Sequence, residues 1–211
     1  MIPTGHVFAF ALTAAVIIAI PGPSVLFIVG RALAYGRRAA VLTVVGNTVG
    51  EYVQVVAVAF GIGAIAERSV AVLTVLKLLG AAYLIYLGIK TVRERRSLLT
   101  ALEPKNHLSH RRYFLQGLVV GVTNPKTIVF LVAILPLFVD HASGGVSAQI
   151  LVLGLVFSAI ALAFDSLWGL FAGAARDWFA SSPRRLEMIG GIGGLAIIAV
   201  GARLALTGRK D

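Results

Sequence analysis

The sequence predicts an all-α integral membrane protein: six transmembrane helices forming two inverted three-helix repeats, with helices 1 and 4 broken at mid-membrane. Three observations carry this prediction. Of 211 residues, 58% are hydrophobic and 13% charged, with a mean hydropathy of +0.92. Soluble domains are nearer half apolar and a quarter charged. Six stretches each reach the roughly 20 apolar residues that cross a bilayer as a helix. Two of these, the first of each half, carry proline breaks near their centres, at "IPGPS" and "TNPKT". Residues 1–211 therefore read as one transmembrane domain.

The stretches run over roughly 7–30, 40–65, 70–90, 113–139, 148–174 and 187–207. Repeat 1 covers about 7–90 and repeat 2 about 113–207, with the polar, basic joint 91–112 between them. The opening "MIPTGH" has no Lys or Arg, and the apolar run continues past signal length, so no cleaved signal is expected. Span 1 places Pro21-Gly22-Pro23 at its centre. A proline there removes a backbone donor at about 3 kcal/mol, and in hydrocarbon each freed group adds several more. Span 2 carries Asn47, Glu51 and Gln54 at i, i+4 and i+7, one helical face. Lys77, near the outer start of span 3, reads as a side chain snorkelling to the interface. Span 4 is broken at Asn124-Pro125-Lys126. In span 5, Asp165 lies a heptad after Ser158 on the same face.

Span 6 supplies the repeat signal. "GIGGLAIIAVGAR" (191–203) aligns with "LLGAAYLIYLGIK" (78–90), matching Gly193 to Gly80, Gly201 to Gly88 and Arg203 to Lys90. With three spans in each half, the second half must cross the membrane upside down. That is the plan of many secondary transporters, in which matched broken helices mark the substrate site. Glycines at 46–50, 117–121, 169–173 and 190–194 predict close helix packing, either within the chain or in a homodimer.

Charge sets the orientation. The joints on one face hold thirteen Lys and Arg residues, against four on the other. The positive-inside rule puts the 91–112 joint in the cytoplasm and both termini outside. The same bias accounts for the net charge of +10, so no nucleic-acid partner is expected. The partners expected are the lipid bilayer, protons and a small substrate. The absence of cysteine excludes disulfides, thiolate metal sites and a disulfide-reducing carrier. No cofactor and no metal site are expected. Neither HExxH nor GxSxG occurs, and His6, His107, His110 and His141 all lie at span ends or in joints, so an enzyme is not expected.

The breaks suit an anion. A helix restarting at Pro23 offers the free amides near Ser24 and a positive dipole end, and one restarting at Pro125, capped by Asn124, does the same. The expected substrate-binding set is Pro21, Gly22, Pro23, Ser24, Asn47, Asn124, Pro125 and Lys126. Ionisable groups this deep cost about 3 kcal/mol each on insertion scales and usually mark function. Glu51 and Asp165 are accordingly the expected proton-coupling residues or a site for a cationic group, the alternative being a structural ion pair with Lys126. Asp165 is the carboxylate expected to pair with Lys126.

Two segments, "PGPSVLFIVGRALAYGRRAAVLTVVGNTVGE" and "GLVVGVTNPKTIVFLVAILPLFV", resemble the signature regions of the lysine exporter and homoserine/threonine exporter (LysE/RhtB) superfamily. The resemblance covers nearly the whole chain. It marks Pro21, Gly22, Pro23, Gly36, Gly46, Gly50, Asn124, Pro125, Lys126, Pro136 and Phe138 as motif positions. Leu137 stands where members often have glutamine, which bears on substrate class rather than family. The resemblance implies a multi-pass carrier of the bacterial inner membrane exporting amino acids against entering protons. A neutral amino acid is the first substrate expected, with a basic amino acid or a cation as alternatives; a non-transport structural membrane protein is the remaining one.

Overall fold

The computed structural model describes residues 2–61, 70–93, 108–175, 178 and 181–206, and every regular element among them is helical. In chain order these are α1 (Thr4–Ala19), α2 (Pro23–Tyr35), α3 (Arg37–Gly61), α4 (Val70–Arg93), α5 (His110–Val122), α6 (Pro125–Val129), α7 (Val146–Ala174) and α8 (Pro183–Leu206). Past Val129 the chain continues as a π-helical turn, Phe130–Ile134, and a 3-10 turn, Leu135–Phe138. The wider turn precedes Pro136, whose missing N–H cannot continue an α-helical ladder.

Among the described residues, four helices are long and apolar enough to cross a membrane: Arg37–Gly61, His110–Phe138, Val146–Ala174 and Glu187–Leu206. A fifth crossing is added if α1 and α2, bent by 52° at their joint, make one span. This is a multi-pass membrane protein. Large apolar side chains such as Phe8, Leu12, Phe60, Val119 and Phe171 are exposed along these helices, as a lipid-facing surface requires. The side chain of Lys77, and most of the basic joint (94–107), lie outside the described residues.

Glycines set the helix directions. A methyl group at Gly46 would strike the Phe114 carbonyl and one at Gly50 the Leu118 carbonyl, while Gly117 and Gly121 press on the Thr43 and Asn47 carbonyls. The numbers rise together, so α3 and α5 run parallel with their backbones in contact. Gly173 meets Arg37, Gly169 meets Ala40 and Gly154 meets Val55, so α7 runs antiparallel to α3. Along α4 and α8, Gly88 meets the Gly194 carbonyl and Ile198, whereas Gly201 meets the Ala81 carbonyl and Ile85. The four glycine stretches therefore include close packing within the chain. Gly36 has another role: its φ of 85° is a conformation that side chains disfavour, and it lets α2 turn into α3.

The apolar core is divided. One cluster is built around the ring stack of Phe10, Phe130 and Phe157, with centroids 5.7 and 5.1 Å apart. The other gathers Ile28, Val29, Leu33 and Val44. Along α3 the second cluster ends at Val44 and the first begins at Val55. Between them come Asn47, Glu51 and Gln54, all buried. A polar layer thus lies between two apolar ones. Beyond Phe138, Gln149 bonds the backbone of Asp140 and Gly144. The Ser143 hydroxyl, with the loop amides, holds the Asp140 carboxyl below its ordinary range.

Candidate functional site

The polar layer forms where two helices stop and restart. Ile20 is extended (φ −70°, ψ 119°) and ends α1, because the residue before a proline is pushed out of helical space. Gly22 is extended too (φ −102°, ψ −171°), and Pro23 opens α2, a first-turn position where its missing N–H costs nothing. In the other half, Asn124 is extended before Pro125 and caps α6, its side-chain Oδ1 accepting from the Lys126 amide at 3.2 Å. Pro21, Gly22, Ser24, Asn124 and Lys126 are buried.

Each break orphans particular carbonyls. In an uninterrupted helix the Ile17 carbonyl would accept from residue 21, and the Gly121 carbonyl from residue 125. Both are prolines with no hydrogen to give. At the first break the Lys126 ammonium donates to the Ile17 carbonyl at 3.2 Å and the Ile20 carbonyl at 2.9 Å. At the second the Gln54 amide donates to the carbonyls of Gly121 and Val122 at 2.7 Å each, and to that of Asn124 at 3.4 Å. The lysine also puts a positive charge at the negative end of the α1 dipole, an interaction worth up to about 2 kcal/mol when partly buried.

The structure gives Lys126 a different partner from the one expected. The ammonium bonds the carbonyls of Ile17 and Ile20, while Asp165 and Glu51 act on it through charge rather than through a direct bond. The helix that ends at Ile20 supplies acceptors that a carboxylate would otherwise provide. Gly22 serves the lysine as well. A Cβ there would lie 3.1–3.2 Å from Cδ, Cε and Nζ of Lys126, so the glycine leaves room for the lysine to reach α1.

Asn124 is the hub joining the breaks. Its Nδ2 donates to Thr127 Oγ1 at 2.8 Å, Ser24 Oγ at 3.1 Å and Glu51 Oε1 at 3.2 Å. Thr127 donates in turn to Glu51 Oε1 at 3.0 Å. One carboxylate oxygen of α3 is thereby held by both side chains that flank Lys126. One turn earlier, Asn47 Nδ2 donates to Asp165 Oδ2 at 3.1 Å, and Asn47 also adjoins the Glu51 carboxyl. The expected site residues are thus brought together, with Asp165 linked through Asn47. Thr127 was missed by sequence reasoning. Its signal was available: it lies three residues after the cap Asn124, on the same face of the restarting helix. Gln54 was placed on the right face, but its role as a helix-end donor was not read.

The family profile described as LysE type translocator matches residues 15–208. The chain belongs to that family. It is 31% identical to a homoserine/homoserine lactone efflux protein of Salmonella typhimurium over 94% of this chain and 95% of that one. It is 26% identical to a leucine efflux protein of an Enterobacter species over 94% of each. An uncharacterized membrane protein of Vibrio cholerae is 38% identical over 64% of this chain and 66% of its own length. No solved structure matches at a significant level. The family and its named relatives are carriers, not enzymes.

Proposed function

We propose that this translocator exports amino acids or close derivatives across the bacterial inner membrane in exchange for protons, with neutral amino acids preferred. The observation that carries the reading is the bond network in which Asn124 joins Ser24, Thr127 and Glu51. It connects both helix restarts to a buried carboxyl, so a change at one reaches the others. The efflux proteins named among the relatives act on homoserine, its lactone or leucine, which supports a substrate carrying an α-amino group without a charged side chain.

In this reading α1 with α2, and α5 with α6, are the broken spans of two inverted repeats within one domain, 1–211, with α4 a further crossing. The same shift of 113 residues carries Gly80 to Gly193, Gly88 to Gly201, Ala81 to Gly194 and Ile85 to Ile198. The contacts follow it: Gly88 meets Gly194 and Ile198 where Gly201 meets Ala81 and Ile85. Gly193 presses on Pro21 at one break, and Gly80 on Val129 and Ala133 beyond the other. These paired contacts support a two-fold relation between the halves. The termini then lie outside and the basic joint in the cytoplasm.

The amides at the start of α2, with Asn124, Pro125 and Lys126, receive the substrate carboxylate, and Glu51 carries the coupled proton with Asp165 in reach through Asn47. Glu51→Gln keeps an oxygen to accept from Asn124 and Thr127 but cannot release a proton. The variant is expected to fold and to lose uphill export of labelled amino acids, while counterflow exchange continues. Uphill export at the wild-type rate would exclude Glu51 as the carrier. A panel of labelled neutral and basic amino acids in the same assay sorts the substrate class.

A further inference from the structure

Six buried side-chain polar atoms among the described residues have no hydrogen-bond partner. Four of them are acceptor oxygens of the polar layer: Asn47 Oδ1, Glu51 Oε2, Gln54 Oε1 and Ser158 Oγ. Each belongs to a side chain more than nine-tenths buried. Orphans of this kind are few in native proteins and call for an explanation. Here they fall together. Asn47, Glu51 and Gln54 share one face of α3. The antiparallel register of α3 and α7 runs from the Asn47–Asp165 bond to the Val55–Gly154 contact, and it brings Ser158 to the level of Glu51.

The charges point the same way. The layer holds two carboxyls, Glu51 and Asp165, against one ammonium, Lys126 from α6, which is spent on helix-end carbonyls. Glu51 Oε1 accepts from Asn124 and Thr127, while Oε2 has no partner. With both acids ionised, the layer is one positive charge short. A proton on Oε2 supplies the charge but, as a single donor, can bond at most one of the other three oxygens. A bare hard cation supplies it and engages several oxygens at once. These oxygens are closed off from the surface, so an ion that binds them sheds its hydration shell.

We propose that Asn47 Oδ1, Glu51 Oε2 and Ser158 Oγ, with Gln54 Oε1 at the edge, form a binding site for a dehydrated monovalent cation of the size of Na+. Coupling ions of secondary carriers bind near the membrane midplane beside broken helices, and this site adjoins both breaks. The proton and the ion exclude each other at Glu51, so one carboxylate serves either.

The test is thermal unfolding of the detergent-purified full chain in NaCl, LiCl, KCl or choline chloride at equal ionic strength. Na+ is expected to raise the midpoint by about 3–5 °C for each tenfold excess over its dissociation constant, Li+ to do so partly, and K+ and choline not to. The Na+ effect weakens as the pH falls and Glu51 takes its proton; the other charged groups facing it are Lys126 and Asp165. Ser158→Ala removes a hydroxyl that has no partner, so its midpoint in choline matches wild type while the Na+ shift is lost. Equal midpoints in all four salts, or a Na+ shift retained in Ser158→Ala, overturn the site. Proton-driven export in Na+-free vesicles tests the export reading separately, and its failure would leave the Na+ shift standing.

Discussion

The two breaks solve one problem with different chemistry. At residues 20–23 the orphaned carbonyls are met by a charged lysine from the other half of the chain. At residues 122–125 they are met by a neutral glutamine from α3. The neutral donor carries no charge for the carboxylates to pull on, so at the second break a change of protonation reaches the backbone through the hydrogen bonds of Asn124 and Thr127 to Glu51. The charged donor stands near Glu51 and Asp165, and its pull towards them changes whenever either gains or loses a proton. The comparison teaches that equivalent backbone defects need not be equivalent parts. A titrating carboxyl acts on the first break through charge, by way of Lys126, and on the second through hydrogen bonds, by way of Asn124.

The largest effect is expected at that charged donor. Lys126→Met strips the donor from two carbonyls and the counter-charge from two buried acids, the situation in which breaking a buried charge arrangement costs about 3–5 kcal/mol. Low yield, a lowered unfolding midpoint and no export are expected. Lys126→Gln sharpens the point: its amide can bond the carbonyls but carries no charge, so stability should recover in part while export stays lost. Export at wild-type rate in Lys126→Gln would make the two breaks equivalent after all.

A smaller loss is expected at the neutral joint. Gln54→Leu leaves the Gly121 and Val122 carbonyls without their side-chain donor, at about 1–3 kcal/mol for buried groups left unpaired. Gly121 keeps a bond from the Asn124 amide at 3.2 Å, which limits the damage. The variant should melt earlier than wild type yet keep its dependence on the proton gradient. A Gln54→Leu protein that still transports but has lost that dependence would move the coupling element to the second break.

Much of this was legible in sequence, for a physical reason. Proline positions determine which carbonyls lose their donors, so both breaks could be read from "IPGPS" and "TNPKT". Helical spacing likewise put Asn47, Glu51 and Gln54 on one face, and the glycine spacings marked where backbones pack closely without saying against which helix. The choice of donor was not legible. It depends on which side chain from a distant segment reaches a carbonyl, and Lys126 does so only because Gly22 leaves space along its stem. Pairing Lys126 with Asp165 followed from charge alone. It omitted the helix-end carbonyls, which are acceptors that no residue letter records. Thr127 was passed over because a threonine in an apolar helix ordinarily bonds its own backbone, as Thr43 does to the Ala39 carbonyl.

The smallest single effect is expected from restoring the missing hydrogen itself. Pro21→Ala gives residue 21 an N–H that can bond the Ile17 carbonyl, and Lys126 then keeps only Ile20 as a backbone acceptor. The helix gains a bond and loses part of a charge-assisted one, so the unfolding free energy should change by no more than about 1 kcal/mol in either direction. The informative quantity is the coupling with Lys126→Met. If the ammonium substitutes for the absent N–H, the methionine change is less damaging in the Pro21→Ala background, and the double-mutant cycle shows a favourable interaction of about 1 kcal/mol or more. The matching cycle at the second break, Pro125→Ala with Gln54→Leu, should show the same rescue. It should do so without the residual cost of uncompensated Glu51 and Asp165 that persists in the Lys126→Met pair. Equal and complete rescue in both cycles would mean that Lys126 acts at the first break as a hydrogen-bond donor alone, with its charge playing no part there.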